Sequence, residues 1–303
     1  RDRNMVKHSS SYYDEVIDHF RPFSGEPIVG IVEEIVRTGG YAPIKMDACG
    51  FQFEGESIVK DITYDRLNWG IVNYVEPWLD ELESFASKTD FRSFYQRHER
   101  FYEESIALLE DQTQVRNQWD WIENISEITY DHYWITFSPL TGGSHSTNRF
   151  EGTSFKQTAM FISGPIEDSQ YSTAVKNALM TRVLFTEIDH NYVNPVSDQY
   201  LADISDALKD LSTWSTNSNY PSAYLVFNEY MTWALFILYA SEHLSEEDFT
   251  QVNELVERQM VESRRFRRFA QFNDALLDIY ESQTVKSIEA LFPEILTWCK
   301  EQT

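Results

Sequence analysis

The sequence predicts a mainly helical α+β fold with a small antiparallel sheet, and three observations support this prediction. Apolar residues recur at helical spacing through most of the chain, as in Pro27–Arg37, which is followed by Gly39 and Gly40. Two aromatic and β-branched runs, 130–140 and 157–162, indicate strands in the middle of the chain. A hydrophobic share of 42%, with 15% aromatic residues, is typical of a chain that buries a core.

The elements follow in order along the chain. Helical patterns cover 27–37, 69–85, 91–109, 172–193, 196–211, 220–243, 246–262, 267–281 and 285–299, and 61–67 indicates a loop or helix start. We expect a helical N-terminal region over 1–126 and a second region over 127–303, which holds the sheet and a helical C-terminal part. Together the two regions should form one continuous domain.

Local signals refine these elements. The two strands are expected to be antiparallel neighbours joined by the polar loop 141–152. Pro195 should end the helix over 172–193, because the residue before a proline is pushed out of the α region. Pro221 is expected in the first turn of its helix, and Ser245 with Asp248 has the spacing of an N-terminal capping box.

The chain is strongly acidic, with 49 acidic and 25 basic residues and a formal charge of -24. Such a surface repels phosphate backbones and anionic membranes, so nucleic acids are disfavoured as partners. No apolar run reaches the length of a bilayer span, and the longest, 233–240, predicts the buried part of a helix. The two cysteines, Cys49 and Cys299, could pair, which the sequence leaves open.

One sequence motif has residue types suited to a catalytic metal site, namely Thr186-Glu187-Ile188-Asp189-His190. Positions four apart lie on one face of a helix, and zinc peptidases place a histidine at each of them. The glutamate that follows the first histidine is the general base on the metal-bound water. Glu187 therefore stands in the position of the catalytic base and His190 in that of the second metal ligand. Thr186 stands where the first ligand belongs, and a hydroxyl is a poor zinc ligand beside imidazole.

Glu229 is the candidate for a third metal ligand. It follows Asn228 in an apolar helical pattern about forty residues after the motif, and a buried glutamate needs a partner. In glutamate-type zincins a helix at such a separation supplies the third ligand. The plainer interpretation is a glutamate that forms a salt bridge at a half-buried helix face. The basic cluster 264–268 is interpreted in the same way, as a helix face that pairs with nearby acids.

The chain resembles a zincin-like, metallopeptidase-related family of Bacteroidota proteins that is catalogued as a domain of unknown function. Its members show His-Glu-Phe-x-His followed by Asn-Pro, which Glu187, His190, Asn194 and Pro195 match and Thr186 does not. Further matches run in order over most of the chain, at 138–143 (SPLTGG), 228–229 (NE) and 292–294 (FPE).

The resemblance implies a zincin-like fold, an ancestral zinc hydrolase site for a peptide or protein substrate, and a periplasmic, secreted or lipid-anchored location. In that arrangement a substrate peptide lies along an edge strand of the sheet. Either predicted strand could be that edge, and 157–162 is the nearer to the motif in sequence.

Thr186 leaves three outcomes open. In the first outcome, which we favour, the site is inactive and the protein is a pseudoenzyme that still binds a peptide or another ligand. Alternatively, a weakened zinc site keeps His190, Glu229 and a further ligand such as His145. In the third case Glu187, His190 and Glu229 hold a harder metal that prefers oxygen ligands. A di-iron oxidase is disfavoured, because it needs two Glu-x-x-His motifs and the sequence has one.

Overall fold

The computed structural model describes residues 5–61, 73–152, 154–167 and 170–302. The fold is α+β and mostly helical, with a small antiparallel sheet and a mixed sheet, so the predicted class is confirmed. The chain divides into two compact units, Arg1–Leu109 with Tyr130–Pro165, and Glu110–Thr129 with Ile166–Thr303. Residues 62–67 of the predicted element at 61–67, and residues 69–72 of the predicted helix at 69–85, lie outside the described residues.

The first unit combines short helices with the two sheets. Its elements are α1 (Ser11–Phe20), α2 (Pro27–Arg37), α3 (Tyr41–Ala48), β1 (Phe51–Glu54), β2 (Ser57–Lys60), α4 (Leu79–Lys88), α5 (Phe91–Arg97), α6 (Glu99–Thr113), β3 (His132–Ser138), β4 (Ser146–Glu151) and β5 (Lys156–Ser163). The last turn of α6, from Glu110, belongs to the second unit. Helix α3 packs on β4 and β5, where Met46, Phe150 and Ala159 form a small core.

The larger sheet corrects the predicted strand pairing. Its order is β3-β5-β4; β3 runs parallel to β5, and β4 runs antiparallel to it. The segment expected to be a polar loop contains β4, which runs opposite to both β3 and β5. The chain therefore reverses twice between β3 and β5, and those two strands are parallel. The strand over 157–162 is the central one, so it is not an edge; the outer strands are β3 and β4.

The second unit is helical and carries the motif. Its elements are α7 (Val115–Asn124), α8 (Thr173–Ser197), α9 (Leu201–Ala207), α10 (Leu211–Trp214), α11 (Ala223–His243), α12 (Glu246–Arg258), α13 (Phe269–Ser282) and α14 (Ile288–Glu301). Helix α11 is its centre, with every residue from Val226 to Ala240 buried, and it packs against α8, α9, α12 and α13. A helix that is apolar all round belongs inside a core.

The helix ends in this unit show which local signals prevail. Ser245 caps α12, and its hydroxyl accepts from the Asp248 N–H, as predicted. Ser222 caps α11, so Pro221 precedes the helix instead of lying in its first turn. Helix α8 continues through Pro195 to Ser197, contrary to the prediction. The segment 196–211 holds the end of α8 and the short helix α9 instead of one long helix.

Tertiary packing explains why α8 outlasts its proline. Val193 and Val196 are buried, and the Ser197 hydroxyl donates to the Asn228 side chain on α11 at 2.5 Å. These contacts hold the last turn of α8 in place and override the local preference against helix before a proline.

No described helix has both the length and the apolar character needed to cross a membrane. Cys49 and Cys299 are both free thiols.

Candidate functional site

Thr186, Glu187 and His190 all lie on α8 in the second unit. Thr186 is buried, and its hydroxyl donates to the backbone carbonyl oxygens of Arg182 at 3.0 Å and Val183 at 3.5 Å. A threonine inside a helix commonly makes this bond to the preceding turn. The hydroxyl at the expected first ligand position is therefore used by its own helix.

His190 is held at both ring nitrogens. Nδ1 lies 3.3 Å from Oδ1 of Asn194, and Nε2 lies 3.5 Å from Oε1 of Glu229 on α11. Burial lowers the pKa of His190, but the hydrogen bond and charge of Glu229, together with the charge of Glu187, outweigh it and raise the pKa to about 9. The imidazole is therefore protonated at neutral pH, and both nitrogens carry hydrogen.

The carboxylate of Glu229 bridges two cations. Oε1 faces His190, and Oε2 accepts a hydrogen bond from Nη2 of Arg264. Burial raises the pKa of Glu229, but the charge of Arg264 and the contact with His190 bring it below its usual value. The Glu229 side chain is 11% exposed, so these two partners replace most of its hydration. We call His190, Glu229 and Arg264 the ion-pair network.

Arg264 is positioned by an irregular segment after α12. That helix ends in one π-helical turn, Gln259–Ser263, and the Arg264 N–H donates to the carbonyl at the start of this turn. Phe266, two residues further on, is fully buried and anchors the segment. The guanidinium also donates to the Tyr220 hydroxyl at 2.5 Å. These contacts fix the side chain against Glu229.

A second arginine lies beside the network. Arg182 precedes Thr186 by one turn of α8, and its guanidinium carbon lies 4.4 Å from the centroid of the Trp233 ring. The guanidinium carbon of Arg264 lies 4.7 Å from the same centroid. Burial and the charge of Arg264 lower the pKa of Arg182 to about 10, so it is still charged at neutral pH. One indole therefore contacts two cations.

Asp189 is the most deeply buried acid of the motif. Its side chain has 0% exposure, and neither carboxyl oxygen accepts a hydrogen bond from the described part of the chain. Burial, together with the charges of Glu187 and Glu229, raises the pKa of Asp189 well above its usual value. This environment favours the neutral acid. Glu187, the predicted base, is half-buried next to it on α8.

The three predicted ligand positions do not fit a zinc ion in this arrangement. Zinc takes a neutral imidazole and a free carboxylate. Here the Thr186 hydroxyl is bonded to its own helix, the imidazole of His190 is protonated, and Glu229 is paired with Arg264. Within the described ranges, no group of three or more His, Cys, Asp or Glu side chains could hold a metal ion.

The structure brings His190 and Glu229 together, as the sequence predicts, and places Arg264 and Arg182 beside them, neither of which the sequence analysis assigned to this site. The sequence predicts that the cluster 264–268 is a helix face that pairs with acids. Its first member does pair with an acid, but the segment lies between α12 and α13 and is not helical. Arg182 had a detectable signal, because Arg182, Thr186 and His190 are spaced four apart on one helix face. His145, the possible extra ligand, lies in the first unit just before β4.

Comparisons of the chain with models of protein families, with curated proteins and with solved structures found no match. The chemistry of the site itself is therefore the basis on which a function can be assigned.

Proposed function

We propose that this chain is a zincin-related pseudoenzyme, a metallopeptidase homologue that binds a peptide or another ligand without hydrolysing it. One observation carries the proposal. Arg264 occupies the carboxylate of Glu229, the residue expected to complete a zinc site, so a fixed protein cation takes the place of the metal. The extracytoplasmic location implied by the family resemblance belongs to the same proposal.

The orientation of His190 supports descent from a metal site. Its Nε2 points to the carboxylate of Glu229, and its Nδ1 is held by Asn194 one turn along the helix. Metal-binding histidines are oriented in this way, with one nitrogen toward the metal and the other held by a hydrogen bond. A histidine and a glutamate from two packed helices thus keep a ligand-like arrangement, with a guanidinium bound to the glutamate.

The loss of hydrolysis follows from the same arrangement. A zinc peptidase activates its water by lowering the pKa of that water on the metal, and the glutamate base only then removes the proton. A guanidinium beside Glu229 can hold an anionic or carbonyl oxygen by hydrogen bonds, but it does not generate hydroxide. The site of His190, Glu229 and Arg264 is therefore suited to binding.

Zinc affinity in a set of variants tests this proposal. We expect the wild type and Thr186→His to bind zinc weakly, because Arg264 still occupies Glu229 in both. The double variant Thr186→His with Arg264→Met regains the imidazole and frees the carboxylate. It should bind zinc roughly tenfold to a hundredfold more tightly than Thr186→His alone. Competition with a chromophoric chelator measures these affinities.

The matched control is Thr186→Val with Arg264→Met, which frees Glu229 without adding a ligand and should bind zinc weakly. Circular dichroism shows that each variant is folded. If Thr186→His alone binds zinc as tightly as the double variant, then Arg264 does not close the site and the proposal is wrong.

A further inference from the structure

The guanidinium of Arg182 lacks the partner that its environment calls for. Its Nε is buried without a hydrogen-bond partner, and within the described ranges the group donates no hydrogen bond and joins no ion pair. A cation in a partly buried site ordinarily has a partner of opposite charge. The charge of Glu187 acts on Arg182 and raises its pKa.

Arg264 differs from Arg182 in this respect. Its charge is matched by Glu229, yet a quarter of its side chain is exposed, so the edge of the ion-pair network is open to a ligand. Both guanidinium groups contact the ring of Trp233, which is 2% exposed and holds them near each other. The pair offers planar donors of the kind that bind a carboxylate through two parallel hydrogen bonds.

From this arrangement we infer that Arg182, with Arg264 beside it on Trp233, forms a binding site for the α-carboxylate at the C-terminus of a peptide. The inference rests on the proposed function, since it names the ligand group that the inactive site would hold. One carboxylate supplies one negative charge, which matches the guanidinium of Arg182.

The surroundings favour a carboxylate over a phosphate group. Glu187 and Glu229 lie close enough to act on the charges of Arg182 and His190, and the whole chain carries a charge of -24. A doubly charged phosphate would meet stronger repulsion from these acids than a singly charged carboxylate. Tyr220, whose hydroxyl contacts Arg264, has its pKa raised to about 12 by burial and the charge of Glu229, so it is a neutral group at this edge.

Isothermal titration of the metal-free full-length protein, in the presence of a chelator, tests the site. The probes are N-acetyl-trialanine, its C-terminal amide, sodium acetate and inorganic phosphate. We expect the acid to bind at least about tenfold more tightly than the amide, because the amide lacks the charge-assisted hydrogen bonds. Binding of the peptide acid above that of acetate identifies a peptide terminus as the ligand, and equal binding of the two overturns that assignment.

Variants assign the effect to Arg182. Arg182→Gln should remove the preference for the acid, and Arg182→Lys should keep part of it, since the charge remains and the planar fork is lost. Arg268→Gln is the control, because Arg268 also lies over an indole, 5.7 Å from Trp214, and should leave binding unchanged. Equal binding of acid and amide, tighter binding of phosphate, no binding of either peptide, or full binding by a folded Arg182→Gln variant each overturns the inference.

The result is separate from the zinc experiments. Stoichiometric zinc in the wild type would overturn the proposed function, whereas the peptide titrations are made without metal and test only the carboxylate site.

Discussion

Replacing Arg264 by methionine is expected to destabilise the protein by about 3–5 kcal/mol, the usual cost of removing one partner from a buried ion pair. The change leaves Glu229, which is 11% exposed, with His190 as its only cationic partner in the ion-pair network. It also removes the hydrogen bond to Tyr220 and the contact with Trp233. Urea denaturation at pH 7 measures the change in the free energy of unfolding.

Two further variants separate the charge effect from lost packing. The double variant Arg264→Met with Glu229→Gln should recover much of the loss, because no unpaired buried charge remains. Arg268→Met removes an arginine over Trp214 and, among the described residues, breaks no ion pair, so it should cost only about 0.5–1 kcal/mol. Equal losses for Arg264→Met and Arg268→Met would contradict the role given to Arg264.

The stability of the protein is expected to fall as the pH rises from about 6.5 to about 9. The pKa of His190 is raised to about 9 in the folded protein, whereas the unfolded value is about 6.5. The folded state therefore keeps a proton that the unfolded state has released across this range. The stabilisation from His190 is fully present below pH 6.5 and is lost through pH 9, a change of roughly 3 kcal/mol.

The pKa shifts of the neighbouring acids, Asp189 and Glu229, are consistent with a stability that falls as the pH rises above 6.5. Asp189, with its pKa raised, also binds its proton more tightly in the folded protein, so its contribution likewise declines with rising pH. Glu229 has a lowered pKa, and its contribution is present above its unfolded value of about 4.5 and is lost only on acidification.

Urea denaturation at several pH values between 6 and 10 measures this slope. His190→Gln should flatten most of it. His243→Gln is the matched control, because Nδ1 of His243 donates to the Tyr239 carbonyl oxygen and His243, within the described ranges, forms no ion pair; it should keep the wild-type slope. A stability that stays constant or rises between pH 6.5 and 9 would show that the ion-pair network does not raise the pKa of His190 and keep it protonated.

Local signals in the sequence were enough for several elements. Helix α2 begins and ends where the apolar spacing, Pro27 and Gly39 predict. The cap at Ser245 follows from a side chain and a backbone N–H only three residues apart. The approach of His190 to Glu229 was also predictable, because both stand in buried helical patterns and each needs a polar partner.

The errors arose where long-range packing decides the outcome. The sequence predicts a polar loop at β4 because STNRFE has one large apolar side chain, Phe150. Pairing with β5 makes this segment a strand. Helix α8 passes Pro195 because contacts with α11 hold its end. Arg264 lies 35 residues from Glu229 in sequence. The π-helical turn that places Arg264 beside Glu229 has no recognisable sequence pattern, so the sequence does not predict this contact.

The most direct measurement is the metal content of the wild-type protein, determined by elemental analysis. The protein is purified without chelator, dialysed against an excess of zinc and then dialysed against metal-free buffer. If the Arg264–Glu229 pair stands in place of the metal, the protein retains far less than one zinc per chain. One tightly held zinc per chain, lost on His190→Ala or Glu229→Ala, would contradict this and restore the metallopeptidase site.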